Sequence, residues 1–135
     1  MSELSSSLSL SYMQPAQAQK HVTYNETIRT LDSLVQTSVL SCALSTPPTQ
    51  PQAGDHYIIP ANATGDWAGA DHKLAVWEEN YWRFFTPHHG MIAWDRAQDL
   101  LLFFDGSLWV SFTPSVNLPT QVDQLGINAP PRYQQ

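Results

Sequence analysis

Leu74-Ala-Val-Trp-Glu-Glu-Asn-Tyr-Trp-Arg-Phe-Phe85 and Leu101-Leu-Phe-Phe-Asp-Gly-Ser-Leu-Trp-Val-Ser-Phe112 are two copies of one pattern. In each, an apolar run meets a polar turn, and a second run follows with Trp82 or Trp109 at the same place. Asp105-Gly106 between apolar runs is a strong hairpin signal, because glycine supplies the positive φ that a tight turn demands. Glu78-Glu79-Asn80 does the same more weakly, through the tolerance of Asn for the left-handed region. One duplication falls short of the roughly three repeats a solenoid or propeller needs. The pattern therefore predicts a small antiparallel meander.

Working outward, strands are expected over residues 56–59, 74–77, 81–86, 91–95, 100–104 and 108–112, a spacing typical of small all-β modules. The first stops at Pro60, and the turn-rich stretch after it, residues 62–69, has one aromatic anchor in Trp67. Thr46-Pro-Pro-Thr-Gln-Pro51 is a connector, since its prolines remove amide donors and fix φ. Upstream, Thr23-Tyr-Asn-Glu26 has the spacing of a capping box, in which hydroxyl and carboxylate each satisfy an exposed amide at a helix start. Ile28, Leu31, Leu34 and Val35, with Val39 beyond them, then fall at three- and four-residue intervals and predict a helix of about twelve to sixteen residues with one apolar stripe. That stripe is read as packing on the chain's own sheet, a role compatible with helices meeting around a symmetry axis. The expected fold is α+β and mainly β: one N-terminal helix followed by a small antiparallel meander or sandwich over residues 20–113. A Ser-, Gln- and Ala-rich arm, residues 1–19, precedes it as a disordered tail or one ordered only against a partner. A Pro/Gln-rich tail, residues 114–135, follows.

Composition excludes several classes. The chain has 135 residues, the size of one domain with tails. Its net charge is −6 with only 13% charged residues, which leaves no nucleic-acid footprint and no patch for an anionic membrane. No run approaches the roughly 18 apolar residues of a membrane span, and no signal-peptide pattern opens the chain. No membrane insertion is expected, and the protein reads as made and folded in the cytosol. Cys42 is the single cysteine and reads as a small buried apolar residue. His21, His56, His72, His88 and His89 show no metal-ligand spacing, and His88-His89 reads as a solvated turn. Glu78-Glu79 sits in a hairpin turn, where burial is not expected to tune a carboxylate. With no nucleophile, base and orienter in any recognised spacing, the expectation is a non-enzymatic protein with no catalytic residues, metal or cofactor.

Trp67, Trp77, Trp82, Trp94 and Trp109 admit two readings. As core, they supply the buried area a small sheet domain needs. As a platform, Trp67, Trp82 and Trp109 are the rings expected to stack on sugars, making the chain a carbohydrate-binding module.

A resemblance adds to this. Gln17-Ala-Gln-Lys-His-Val-Thr-Tyr-Asn-Glu26, then Leu31-Asp32 and Leu34-Val35-Gln36, Pro47-Pro48 with Pro51, Gly54-Asp55-His-Tyr-Ile-Ile59 and Ala63-Thr-Gly-Asp-Trp-Ala-Gly69 follow one another in order. With Trp77, Trp82-Arg-Phe84, Pro87, Gly90, Phe104-Asp-Gly106 and Trp109, they resemble an uncharacterised domain family of phage virion proteins. That family occurs in tail fibre and tail-tip proteins of tailed phages, prophages and gene transfer agents, and the match runs over roughly residues 8 to 112. The resemblance implies a structural or host-attachment role in a virion tail. It also implies self-association as a homotrimer, contact with other tail proteins, and synthesis in the host bacterial cytoplasm. Members commonly continue into a long fibre through a segment like Leu125-Gly-Ile-Asn-Ala129, whereas Gln135 follows closely here. A compact adaptor, short tip fibre or baseplate piece is therefore expected, with Leu8, Leu10, Tyr12 and Met13 of the N-terminal arm as its tether. Ile28, Leu31, Leu34 and Val35 would form its oligomer or packing helix.

Overall fold

A computed structural model describes residues 3–13 and 20–112. After α1 (Lys20–Leu34) come β1 (Ser38–Val39), β2 (His56–Ile58), a 3-10 turn (Gly65–Trp67), β3 (Leu74–Trp77), β4 (Trp82–Phe85), β5 (Ile92–Asp95), β6 (Leu100–Phe104) and β7 (Trp109–Ser111). The two copies of the pattern form the β3–β4 and β6–β7 hairpins, with Trp77 opposite Trp82 and Phe104 opposite Trp109. One helix and a β-rich remainder are as the periodicities predict, and the strand positions agree within a residue or two at their ends.

The strands make two sheets, ordered β2-β3-β4 and β1-β5-β6-β7. Every pairing is antiparallel except β1 with β5. The sheets share a corner, because the chain leaving β1 pairs onward with β2: Leu40 donates to the His56 carbonyl at 2.8 Å and Ile58 to the Ser41 carbonyl at 3.2 Å. Val39, Ile58, Leu74, Val76, Ala93 and Leu102 fill the space between the sheets, and Leu34 of α1 closes one side. Val39, which continues the helical spacing, is instead a fully buried strand residue. Gln36, at φ 52, ends the helical path just before it, as left-handed residues commonly do.

Two expectations for the N-terminal region are corrected. Thr23 and Glu26 lie inside α1, not at its cap, since Lys20 is already helical. The Glu26 carboxylate reaches Arg29 at 3.2 Å and Arg83 at 3.6 Å instead. The described part of the arm, residues 3–13, needs no foreign partner for its order, because it folds back as a small hairpin on α1. Ser5 donates to the Leu10 carbonyl and Tyr12 to the Glu3 carbonyl, each at 2.9 Å. Asp32 then accepts from the Ser5 hydroxyl at 2.6 Å, from the Ser7 amide at 3.0 Å and from the Leu8 amide. Asn25 exchanges two bonds with the Met13 backbone, and the Arg29 guanidinium lies 5.1 Å from the centre of the Tyr12 ring. Leu8 stays exposed while Leu10, Tyr12 and Met13 are half-buried. Gly54 makes this docking sterically possible: at φ +93, a Cβ there would lie 2.6 Å from Ser6 Cβ.

Candidate functional site

The two sheets differ in how their outward faces are treated. On the β2-β3-β4 sheet, the face turned away from the inter-sheet core carries Tyr57, Ala75, Trp77 and Trp82, and the loop around the 3-10 turn folds over it with Ile59, Ala63, Trp67 and Ala70. Trp67 is fully buried and Trp82 nearly so. Their ring centres are 5.1 Å apart in an edge-to-face arrangement, with Tyr57 5.4 Å from Trp67 and Trp77 5.0 Å from Trp82. Such pairs add about 0.5–1.5 kcal/mol each beyond area burial. Trp67 and Trp82 are therefore core residues, which corrects their expected role as sugar platforms. Trp109 is half-buried against Phe104, 5.4 Å away, and its indole N–H is committed to the His72 carbonyl at 2.8 Å. Its ring joins the inter-sheet core, so it too is a packing residue first.

The described residues cover the β1-β5-β6-β7 sheet on one face only. Ala93, Asp95, Leu102 and Phe104 point inward. The alternating residues Ile92, Trp94, Leu101, Phe103, Val110 and Phe112 make the other face, joined by the pairs Ile92–Phe103, Trp94–Leu101 and Phe103–Val110 and by the Phe112 amide bonded to the Leu101 carbonyl at 2.7 Å. Ile92 is 57% exposed, Phe112 53%, Trp94 41% and Val110 37%. None of the six carries a charge. Beside them runs a shallow groove of about 670 Å³ between the end of α1 and the sheet, lined by Leu34, Gln36, Thr37, Ser38, Met91 and Trp94 among others.

The helix adds apolar surface of its own. Of the four predicted packing residues, Leu34 alone reaches the inter-sheet core, and Ile28 is half-buried. Leu31 and Val35 are each 44% exposed and, with Tyr24 at 42%, make a stripe at intervals of four, three and four residues through Ile28. The expectation that Ile28, Leu31, Leu34 and Val35 pack on the chain's own sheet holds for Leu34 and is corrected for Leu31 and Val35, which are exposed. The buried residues of α1 are polar, namely Asn25, Asp32 and Ser33, because the N-terminal hairpin occupies that side through hydrogen bonds. Ser33 instead offers its carbonyl to His56, whose ring nitrogens lie 3.1 Å from it and 2.6 Å from the Gly54 carbonyl.

Two titratable groups depart from what the sequence suggested. Glu78 is partly buried at its hairpin turn, not solvated. Burial pushes its carboxyl up, and Arg83, 3.6 Å away, pulls it partly back. Arg83 also donates to the Thr30 hydroxyl at 2.7 Å, tying the first hairpin to α1. Cys42 is half-buried at the edge of the inter-sheet core, and its thiol donates to the fully buried Asp95 carboxylate at 3.1 Å. Burial and then Asp95 push that thiol up to about 11. Among the described residues no three His, Cys, Asp or Glu side chains gather as a metal site, and no helix is long and apolar enough to cross a membrane.

Sequence reasoning missed Ile92 and Trp94 as surface residues. The signal was there: Leu100 to Phe104 is apolar at five successive positions, as in strands covered on both faces. Only one cover is supplied by the described residues.

The arrangement defines a small module of one helix and two sheets with an uncharged apolar face left open. The chain belongs to DUF2793, a family described as a protein of unknown function, whose model matches residues 24–110, from within α1 into β7. No curated protein matches the chain.

Proposed function

We propose that this protein is a non-enzymatic structural component of a phage virion, a tail fibre or tail-tip/baseplate piece that serves host attachment as a homotrimer alongside other tail proteins. The observation that carries this reading is the face of Ile92, Trp94, Val110 and Phe112, left open by the described residues, on a domain whose other sheet is largely covered by its own loop. Contiguous apolar surface of this kind marks an interaction site. The motif order over residues 8 to 112 supports placing that assembly in a virion tail.

Gradient purification of particles from the phage or bacterial strain that encodes the chain, followed by mass spectrometry, tests the reading. The chain is expected to band with tailed particles in a fixed ratio to their tail proteins. Its absence from particles, with the protein present in the cell extract, overturns it.

A carbohydrate-binding reading now rests on Trp94 beside Gln36, Thr37 and Ser38 in the groove, in place of the three rings first expected to serve. Titration with host surface polysaccharide should then quench tryptophan emission in the wild type and not in Trp94→Ala. Equal behaviour of the two removes it.

A further inference from the structure

Resting on the assembly reading above, we infer that the outward face of the β1-β5-β6-β7 sheet is the surface on which a second copy of this same chain sits. The first argument is internal. The two hairpins descend from one pattern, so Leu101, Phe103, Val110 and Phe112 stand where Leu74, Val76, Arg83 and Phe85 stand in the first copy. In the first copy Leu74, Val76 and Phe85 are packed into the space between the sheets. The equivalent face of the second hairpin carries residues suited to the same kind of apolar contact and meets no sheet among the described residues.

The second argument is size and charge. An aromatic side chain presents roughly 150–250 Å² when free. Exposures of 37% to 57% over Val110, Trp94, Phe112 and Ile92, with the half-buried Leu101 and Phe103, therefore give a patch on the order of 500 Å². A standard interface buries about 800 Å² on each partner, with an apolar centre and a polar rim. Gln36, Thr37 and Ser38 along the groove provide such a rim, and Leu34 and Met91 in the same groove add apolar surface beside Ile92 and Trp94. A partner recognised by charge would find no countercharge among the six face residues. A second copy offers the same uncharged surface.

The occupant is tested with the full 135-residue chain by light scattering at micromolar concentration, on the wild type, on Ile92→Glu/Val110→Glu, and on a chain ending at residue 112. Ile92 and Val110 are exposed, so the double variant should keep the wild-type near-ultraviolet circular dichroism. The wild type is expected to be a multimer and the double variant a single chain, with the dissociation constant raised at least about 30-fold, the loss typical of a central interface position. The shortened chain should remain a multimer. A multimer unaffected by the two glutamates places the contact elsewhere and overturns the inference while leaving the virion reading intact. A single-chain wild type also overturns it, and one that associates only after removal of residues 113–135 identifies the chain's own tail as the cover. Failure of the virion reading is separate, because it is scored by absence from particles and not by solution mass.

Discussion

The two sheets are built from the same hairpin pattern and end in opposite situations. In β2-β3-β4, this chain covers one face with the second sheet and most of the other with the loop that carries Trp67, leaving Phe84 37% exposed. In β1-β5-β6-β7, one face is covered and the other presents Ile92, Trp94, Val110 and Phe112 to solvent. Apolar residues on both sides of a strand state a need for two covers, but not who provides them. The loop of residues 60–70 is the difference: it gives the first sheet a private lid, and the described residues give the second none.

The contrast can be broken most forcefully at its two tryptophans. Trp67→Ala removes a fully buried ring from the centre of an aromatic cluster and should cost about 3–5 kcal/mol in denaturant unfolding. Trp94→Ala, placed on the Ile92→Glu/Val110→Glu background so that single chains are compared, should stay within about 0.5 kcal/mol. Equal costs would mean that the two faces are equally covered and that the contrast is false.

Next in size is the N-terminal hairpin, which is tied to one side of α1 by hydrogen bonds. Asp32→Ala removes the acceptor of three bonds from residues 5, 7 and 8 and should cost about 1.5–3 kcal/mol. Gly54→Ala meets Ser6 at 2.6 Å and strains a positive φ, and a comparable or smaller loss of about 1 kcal/mol or more is expected. Both should make residues 3–13 the earliest site of limited proteolysis, whereas Leu31→Ser on the opposite, exposed stripe should leave the cleavage pattern unchanged.

The smallest expected effect is chemical. With its thiol raised to about 11 by burial and Asp95, Cys42 stays protonated in the folded chain at pH 8. Native protein should then react with a maleimide far more slowly than unfolded protein, since the thiolate is the nucleophile. The sign for stability follows from the same shift. The folded state holds this proton to higher pH than the unfolded chain does, so the contribution is present below about pH 9 and is lost as pH rises toward 11. Labelling at the unfolded rate in native protein would show that Cys42 is not held against Asp95.

Much of this fold was legible in the residues. Asp105-Gly106 and the repeated Trp positions gave the hairpins, and the apolar spacing through Leu34 gave the helix, because turn chemistry and periodicity are local. What was not legible was set by contacts distant in sequence. Ser38–Val39 is too short a strand to show a period, and its parallel pairing with β5 is made by residues far along the chain, Trp94 to Arg96. Thr23 and Glu26 matched a capping box whose amides are already inside a helix. Asn25 and Asp32 fall outside the apolar spacing of Ile28, Leu31, Leu34 and Val35, yet they are buried, since the arm brings them backbone partners. Trp82 and Trp94 both sit in short strands with apolar neighbours, and the path of the 60–70 loop, which covers Trp82 with Trp67, separates the buried one from the exposed one.

That decision is read most directly from fluorine spectra of the full chain carrying 5-fluorotryptophan, with each of the five resonances assigned by a Trp→Phe variant and its solvent isotope shift measured in light and heavy water. If a second copy covers the open sheet, the Trp94 resonance will be as insensitive to solvent as that of Trp67 in the wild type and will become sensitive in Ile92→Glu/Val110→Glu. A Trp94 resonance fully sensitive to solvent in the wild type, and unchanged by the two glutamates, would contradict a covering partner on that face.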